Sequence, residues 1–194
     1  EFARNKILSR QGKRLSTIDV HDICCMIGQI VVAGGVRRSA MISLSDLDDQ
    51  QMRDAKKGEF WNFALQRTMA NNSAVYQEKP GVKEFMKEWM ALVESGTGER
   101  GIFNRASLAL TLPERRVKTL GGRIDTVGTN PCGEILLQSK QFCNLTEAVV
   151  RPNDTEKTLI EKVRLATILG TFQSSLTKLP YLSKEWKDNC ESER

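Results

Sequence analysis

The sequence predicts an α/β fold with parallel strand pairing, on three observations. Apolar residues recur at helical spacing in several segments, as in Ile23, Met26, Ile27, Ile30 and Val31. Short runs rich in β-formers lie between those segments. Glycine, proline and asparagine clusters punctuate the joints. Helices that alternate with strands favour crossover connections and a parallel sheet. At 194 residues, with 40% apolar and 27% charged, the chain has the size and balance of one globular domain.

Taken in order, residues 1–15 read as a basic, irregular lead-in. Ser16 or Thr17 caps a helix whose early turns carry Asp19 and Asp22, favourable beside the helix N-terminus. Gly34-Gly35 stops it. Residues 36–45 alternate as a strand, with Ala40, Ile42 and Leu44 on one face. Two helices are predicted over 46–57 and 59–70, the second with Phe60, Phe63, Ala64 and Met69 near one side. Asn71-Asn72-Ser73 reads as a turn before a short strand over 74–77. Pro80 opens a helix that runs to about Glu94 and buries Val82, Phe85, Trp89 and Leu92. A strand over 101–105, a basic connector over 110–122 and a turn-and-strand over 127–137 follow. Another strand is expected over 143–150, then a helix from Thr155 to about Thr171 and a last one capped by Ser183.

Several classes of function are disfavoured. The net charge of +5 is spread along the chain, and aromatics are only 6%, which argues against direct nucleic-acid binding. No apolar run approaches the roughly 20 residues that span a bilayer, and no signal peptide opens the chain. Five cysteines, an odd count, argue for free thiols and a cytoplasmic protein rather than a disulfide scaffold. With one histidine and no paired Cys-x-x-Cys, no metal site is expected. His21 reads as a structural hydrogen-bonder, and Cys24, Cys25 and Cys190 as non-catalytic thiols. The chain opens on Glu1 rather than Met and stops at Glu193-Arg194 within a helical pattern, which predicts a piece of a longer protein.

The densest chemistry-bearing stretch is Thr129-Asn130-Pro131-Cys132-Gly133-Glu134-Ile135. Pro131 fixes its own φ and keeps Asn130 extended, and Gly133 permits a tight backbone beside Cys132. An extended segment puts Asn130, Cys132 and Glu134 on one face. The carboxyl can then take a hydroxyl proton, the amide can hold that hydroxyl, and the sulfur can attack or abstract. The same residue types also suit a buried inert thiol, a turn-forming Asn and a surface Glu.

Asn-Pro-Cys-Gly-Glu-Ile, followed by Phe142-Cys143-Asn144-Leu145, resembles the active-site finger loop of ribonucleotide reductases. The resemblance implies that Cys132 becomes a thiyl radical that removes the 3′ hydrogen of a ribonucleotide, with Glu134 acting on the 3′ hydroxyl and Asn130 hydrogen-bonding in the same site. Cys143 stands eleven residues beyond Cys132, a spacing similar to that of the adenosylcobalamin-dependent class. There the second cysteine belongs to the dithiol that reduces the 2′ position; in the di-iron class it lies farther away. A dithiol closing to a disulfide supplies the two electrons. A second stretch, Gly34-Gly35-Val36-Arg37-Arg38-Ser39-Ala40, resembles the family's specificity loop. The implied substrate- or effector-binding residues are Gly35, Val36, Arg37, Arg38 and Ser39, the arginines through directional charge-assisted bonds.

The resemblance implies that residues 1–194 are the central part of a catalytic domain, a slice of the family's ten-stranded α/β barrel. It implies a ribonucleoside triphosphate as substrate, a deoxynucleotide as allosteric effector and a thioredoxin-like or dithiol reductant. Adenosylcobalamin is expected to be bound mainly by parts outside these residues. A non-catalytic nucleotide-binding module and a di-iron reductase fragment are the alternatives.

Overall fold

The computed structural model describes residues 1–34, 39–176 and 178–192. They form two compact units, Glu1–Leu136 and Leu137–Arg194.

The first unit opens with α1 (Phe2–Ser9), where an irregular lead-in was expected, and α2 (Thr17–Gly34). α2 starts as its sequence predicts. Ser16 Oγ accepts from the Asp19 backbone N–H at 3.4 Å, and Asp19 Oδ2 accepts from the Ser16 N–H at 3.1 Å. Two orphan donors of the first turn are thereby satisfied reciprocally. The face α2 buries is not the predicted apolar one. Asp19, His21, Asp22 and Cys25 are buried, whereas Ile27, Ile30 and Val31 are exposed. The buried acids are matched by cations. Asp22 pairs with Arg67 at 2.6 Å and with Lys6 at 2.8 Å, and Asp19 pairs with Arg10 at 2.7 Å. α1 is thus held to α2 by Lys6 and Arg10, a register that apolar periodicity does not encode.

Three parallel strands make the sheet, in the order β1 (Met41–Ser45), β2 (Ala70–Tyr76), β3 (Gly101–Asn104). Ile42 lies opposite Asn71, and Ser73 opposite Gly101. Asn71-Asn72-Ser73 is therefore strand, not turn. The two predicted helices before it shorten to α3 (Gln50–Arg53) and α4 (Trp61–Ala64), the latter running into a 3₁₀ turn, Leu65–Met69. α5 (Val82–Ser95) ends where Gly96 takes the left-handed conformation, φ 68°.

Alternation gives the sheet two faces. Ala70, Asn72, Ala74 and Tyr76 point to one, which α2 and α5 cover. The Phe85 ring of α5 lies 6.5 Å from that of Tyr76, and a Cβ on Gly28 of α2 would come within 3.2 Å of Met41 Cε. A buried ion cluster locks this face. Glu88 of α5 pairs with Arg53 and, at 2.9 Å, with Arg100, whose Nη1 donates to Ser45 Oγ at 2.6 Å. Val82, Phe85 and Trp89, expected in the core, remain exposed to differing degrees. The other face carries Ile42, Asn71, Ser73, Gly101 and Phe103.

After β3 the predicted connector folds as α6 (Leu108–Thr111) and α7 (Glu114–Leu120). Leu108, Leu120 and Val127 form an apolar cluster with Phe103, Leu112, Ile124 and Leu136 around it. That cluster underlies β4 (Gly128–Thr129) and the strand β5 that begins at Leu136.

In the second unit, residues 143–150 are irregular rather than a strand. They pack along α8 (Glu156–Ser174): Lys162 Nζ donates to Val149 O at 3.2 Å, and a Cβ on Gly170 would come within 3.2 Å of Thr146 Oγ1. Thr155 caps α8 with a capping box. α9 (Lys184–Ser192) stacks Trp186 on Phe142 with ring centroids 6.2 Å apart.

Candidate active site

Between β4 and β5 the chain makes a closed turn. Asn130 N–H donates to Ile135 O and Gly133 N–H to Asn130 O, each at 3.0 Å. Ile135 N–H donates to Asn130 Oδ1 at 3.0 Å, and Thr129 Oγ1 donates to Ile135 O at 3.1 Å. Gly133 adopts φ 87°, the left-handed region that a Cβ disfavours. The segment is thus not extended, and Asn130, Cys132 and Glu134 do not share a strand face. Asn130 is buried, with its side-chain oxygen spent on the turn, while Cys132 and Glu134 are exposed.

Cys132 lies at the edge of a cleft of about 450 Å³ over the open face of the sheet. Asn71, Asn72 and Ser73 of β2, Glu99 and Gly101 line it with Cys132, Pro131 and Gly133. Asn71 Nδ2 donates to Pro131 O at 2.7 Å. Glu99 Oε2 accepts from the Asn72 N–H at 2.8 Å, and its other oxygen pairs with Lys56 at 2.7 Å. Lys56, itself buried, also donates to Ala70 O. A buried cation thereby ties the start of β2 to the lead-in of β3. The side-chain oxygen of Asn72 is buried and has no hydrogen-bond partner among the described residues. This lining was hidden in the sequence because Asn71-Asn72-Ser73 consists of two residue types, Asn and Ser, that are common in turns.

Among the other candidates, Cys143 lies in the second unit, half-buried. Gly35, Val36, Arg37 and Arg38 fall outside the described residues. Ser39 is half-buried, its Oγ within 3.5 Å of where a Gly28 Cβ would stand. His21 contacts Cys25 Sγ through Nε2 at 3.5 Å, as a structural histidine does. Burial lowers the His21 pKa and raises that of Cys25 to about 11. Cys24, its neighbour on α2, is exposed. Among the described residues no cluster of histidine, cysteine, aspartate or glutamate could hold a metal ion. No described helix is long and apolar enough to cross a membrane.

An exposed thiol on a closed turn beside a cleft on one face of a parallel sheet is the architecture of an α/β protein with a loop-borne cysteine. Its relatives narrow that class. The chain is 35% identical over 156 residues to the adenosylcobalamin-dependent ribonucleoside-triphosphate reductase of Lactobacillus gasseri, a match covering 75% of the chain and 19% of that protein. It is 36% identical over 175 residues to the enzyme of that name from Lactobacillus acidophilus, covering 84% of the chain and 21% of the relative. With that of Lactobacillus leichmannii it shares 35% over 156 residues, 74% of the chain and 19% of the relative. The chain is similar to one segment of these reductases, and it spans about a fifth of the length of the curated relatives it matches. No family model and no solved structure matches it.

Proposed function

We propose that the chain forms the radical-thiol segment of an adenosylcobalamin-dependent ribonucleotide reductase, a part of its ten-stranded barrel, and that Cys132 is the thiol that attacks the ribose. The observation that carries this is the exposed Cys132 at the cleft, within a chain 35% identical to named reductases. Adenosylcobalamin, when bound, supplies the radical-generating chemistry. The exposure of Cys132 fits that group, because a large cofactor can reach this sulfur only if the turn presents it outward. The cleft itself has the volume of a small-molecule site rather than of a corrin.

Once oxidised to a thiyl radical, Cys132 Sγ takes the 3′ hydrogen of a ribonucleoside triphosphate and returns it after the 2′ hydroxyl has left as water. Glu134, exposed beside it, accepts the 3′ hydroxyl proton. Asn130 holds that hydroxyl through Nδ2, its oxygen being engaged by the turn. Cys143 supplies one thiol of the pair whose closure to a disulfide delivers two electrons. A thioredoxin-like or dithiol reductant reopens that disulfide. Arg37, Arg38 and their neighbours Gly35, Val36 and Ser39 sense the deoxynucleotide effector. The isolated chain is expected to be inactive, and the complete reductase carrying it to act in the cytoplasm.

The test is Cys132→Ser in that complete reductase. Deoxynucleotide formation falls by roughly four orders of magnitude or more, the usual loss when a covalent group of the reaction is removed. Turnover within ten-fold of the parent enzyme overturns the proposal.

A further inference from the structure

We infer that Asn71 is the positioning residue of the Cys132 thiol: its amide pins the Pro131–Cys132 peptide to β2 and so fixes where the sulfur stands. The inference rests on Cys132 being the reacting group. The bonds that close the turn, from Thr129 to Ile135, set its shape but not its place over the sheet. Its base is seated on the Leu108, Leu120 and Val127 cluster. At its tip, Asn71 Nδ2 donates to Pro131 O at 2.7 Å, across 60 residues of sequence. Pro131 has no N–H, so its carbonyl is the one backbone hydrogen-bonding group through which it can be held. That carbonyl lies in the peptide plane whose nitrogen belongs to Cys132. A bond to it orients the Cys132 N–Cα vector, and with it the direction in which the thiol leaves the turn.

The anchor is itself anchored. Asn71 follows Ala70, whose carbonyl accepts from buried Lys56, and precedes Asn72, whose N–H is held by Glu99. Lys56 and Glu99 are paired with each other at 2.7 Å. The polar links Lys56–Glu99–β2–Asn71–Pro131 therefore run from a buried cation to the residue that precedes Cys132. Hydrogen-atom abstraction depends on near-contact geometry, where a displacement of about 1 Å costs on the order of a hundred-fold in rate. An amide donor at position 71 meets that demand without touching the substrate.

The experiment uses Asn71→Ala and Asn71→Asp in the complete reductase. Asp keeps the shape but turns a donor into an acceptor facing a carbonyl. Expected is a kcat loss of about a hundred-fold in both, with nucleotide KM changed by less than about three-fold. In Asn71→Ala, iodoacetamide is expected to alkylate Cys132 about five-fold faster as one net hydrogen bond is lost, while Cys25 stays unreactive. Wild-type kcat in both variants overturns the inference, as does alkylation of buried Cys25 in both, which makes Asn71 a folding residue. If Cys132→Ser retains turnover, the reading of Cys132 as the reacting thiol falls, while the alkylation rates still decide whether Asn71 holds the turn.

Discussion

The two faces of the parallel sheet are built on opposite principles. On one, α2 and α5 lie over Ala70, Ala74 and Tyr76, and the buried charges of Glu88, Arg53 and Arg100 are paired among themselves. On the other, Asn71, Ser73 and Gly101 face a cleft, and what crosses it is a turn held at its tip by a single amide. The difference teaches where rigidity is made and where it is used. The covered face fixes the strands; the open face carries a turn that is anchored to one of them.

The comparison breaks most sharply at the two extremes. Cys132→Ser removes the exposed thiol at the cleft and is expected to leave the urea midpoint of unfolding unchanged, since an exposed side chain contributes little burial. Glu88→Ala does the reverse. It strands Arg53 and Arg100, whose side chains are 8% and 4% exposed. The expected loss is about 3–5 kcal/mol, read by urea unfolding with tryptophan fluorescence.

A smaller effect comes from pH. Hydrogen bonds from Ser16 hold the Asp19 carboxyl well below the usual carboxylate range, and Arg10 adds to them. Burial pushes the Asp22 carboxyl up, but bonds from Arg67 and Lys6 outweigh it and leave it lowered. A depressed folded-state pKa contributes stability that is present above the unfolded value and lost as pH falls through the folded one. For aspartate that loss begins below about pH 4. His21 is also lowered, by burial, so the unfolded chain binds its proton first, and stability declines below about pH 6.5. Urea midpoints taken from pH 7 to pH 3 are expected to fall in two stages, and His21→Gln to remove the first. A single decline starting below pH 5 in the parent would exclude the histidine stage.

The smallest expected change sharpens the geometry of the open face. A Cβ at Gly101 would stand 2.9 Å from Ser73 Oγ. Gly101→Ala is expected to cost about 1 kcal/mol, the low end for overpacking because a hydroxyl can rotate away. The double variant with Ser73→Ala should recover most of it, in a double-mutant cycle on the same unfolding assay.

Much of this frame was legible in the residues. The Ser16 cap, the end of α5 near Glu94 and the alternation of helix and strand were readable because each rests on local chemistry. Parallel pairing followed from that alternation. What could not be read depends on distant partners. α1 exists as a partner for the acids of α2, and Asn71–Ser73 are strand because β1 and β3 flank them. Periodicity located the apolar stripe of α2 but not its exposure, which is decided by what packs against it. At the candidate site, the Asn130–Glu134 stretch stood out by its residue types, but the turn that separates its side chains was not readable, nor was Asn71, which looked like a loop former.

The bond between Asn71 and Pro131 also sets an order of events. Its two ends are 60 residues apart, and one of them is a strand whose neighbours come from both sides in sequence. Contacts of such long range form only after the chain has paid for closing the intervening loop. The turn that bears Cys132 is therefore expected to be anchored late in folding, after β2 has both partners, and the thiol to gain its fixed direction only together with the sheet.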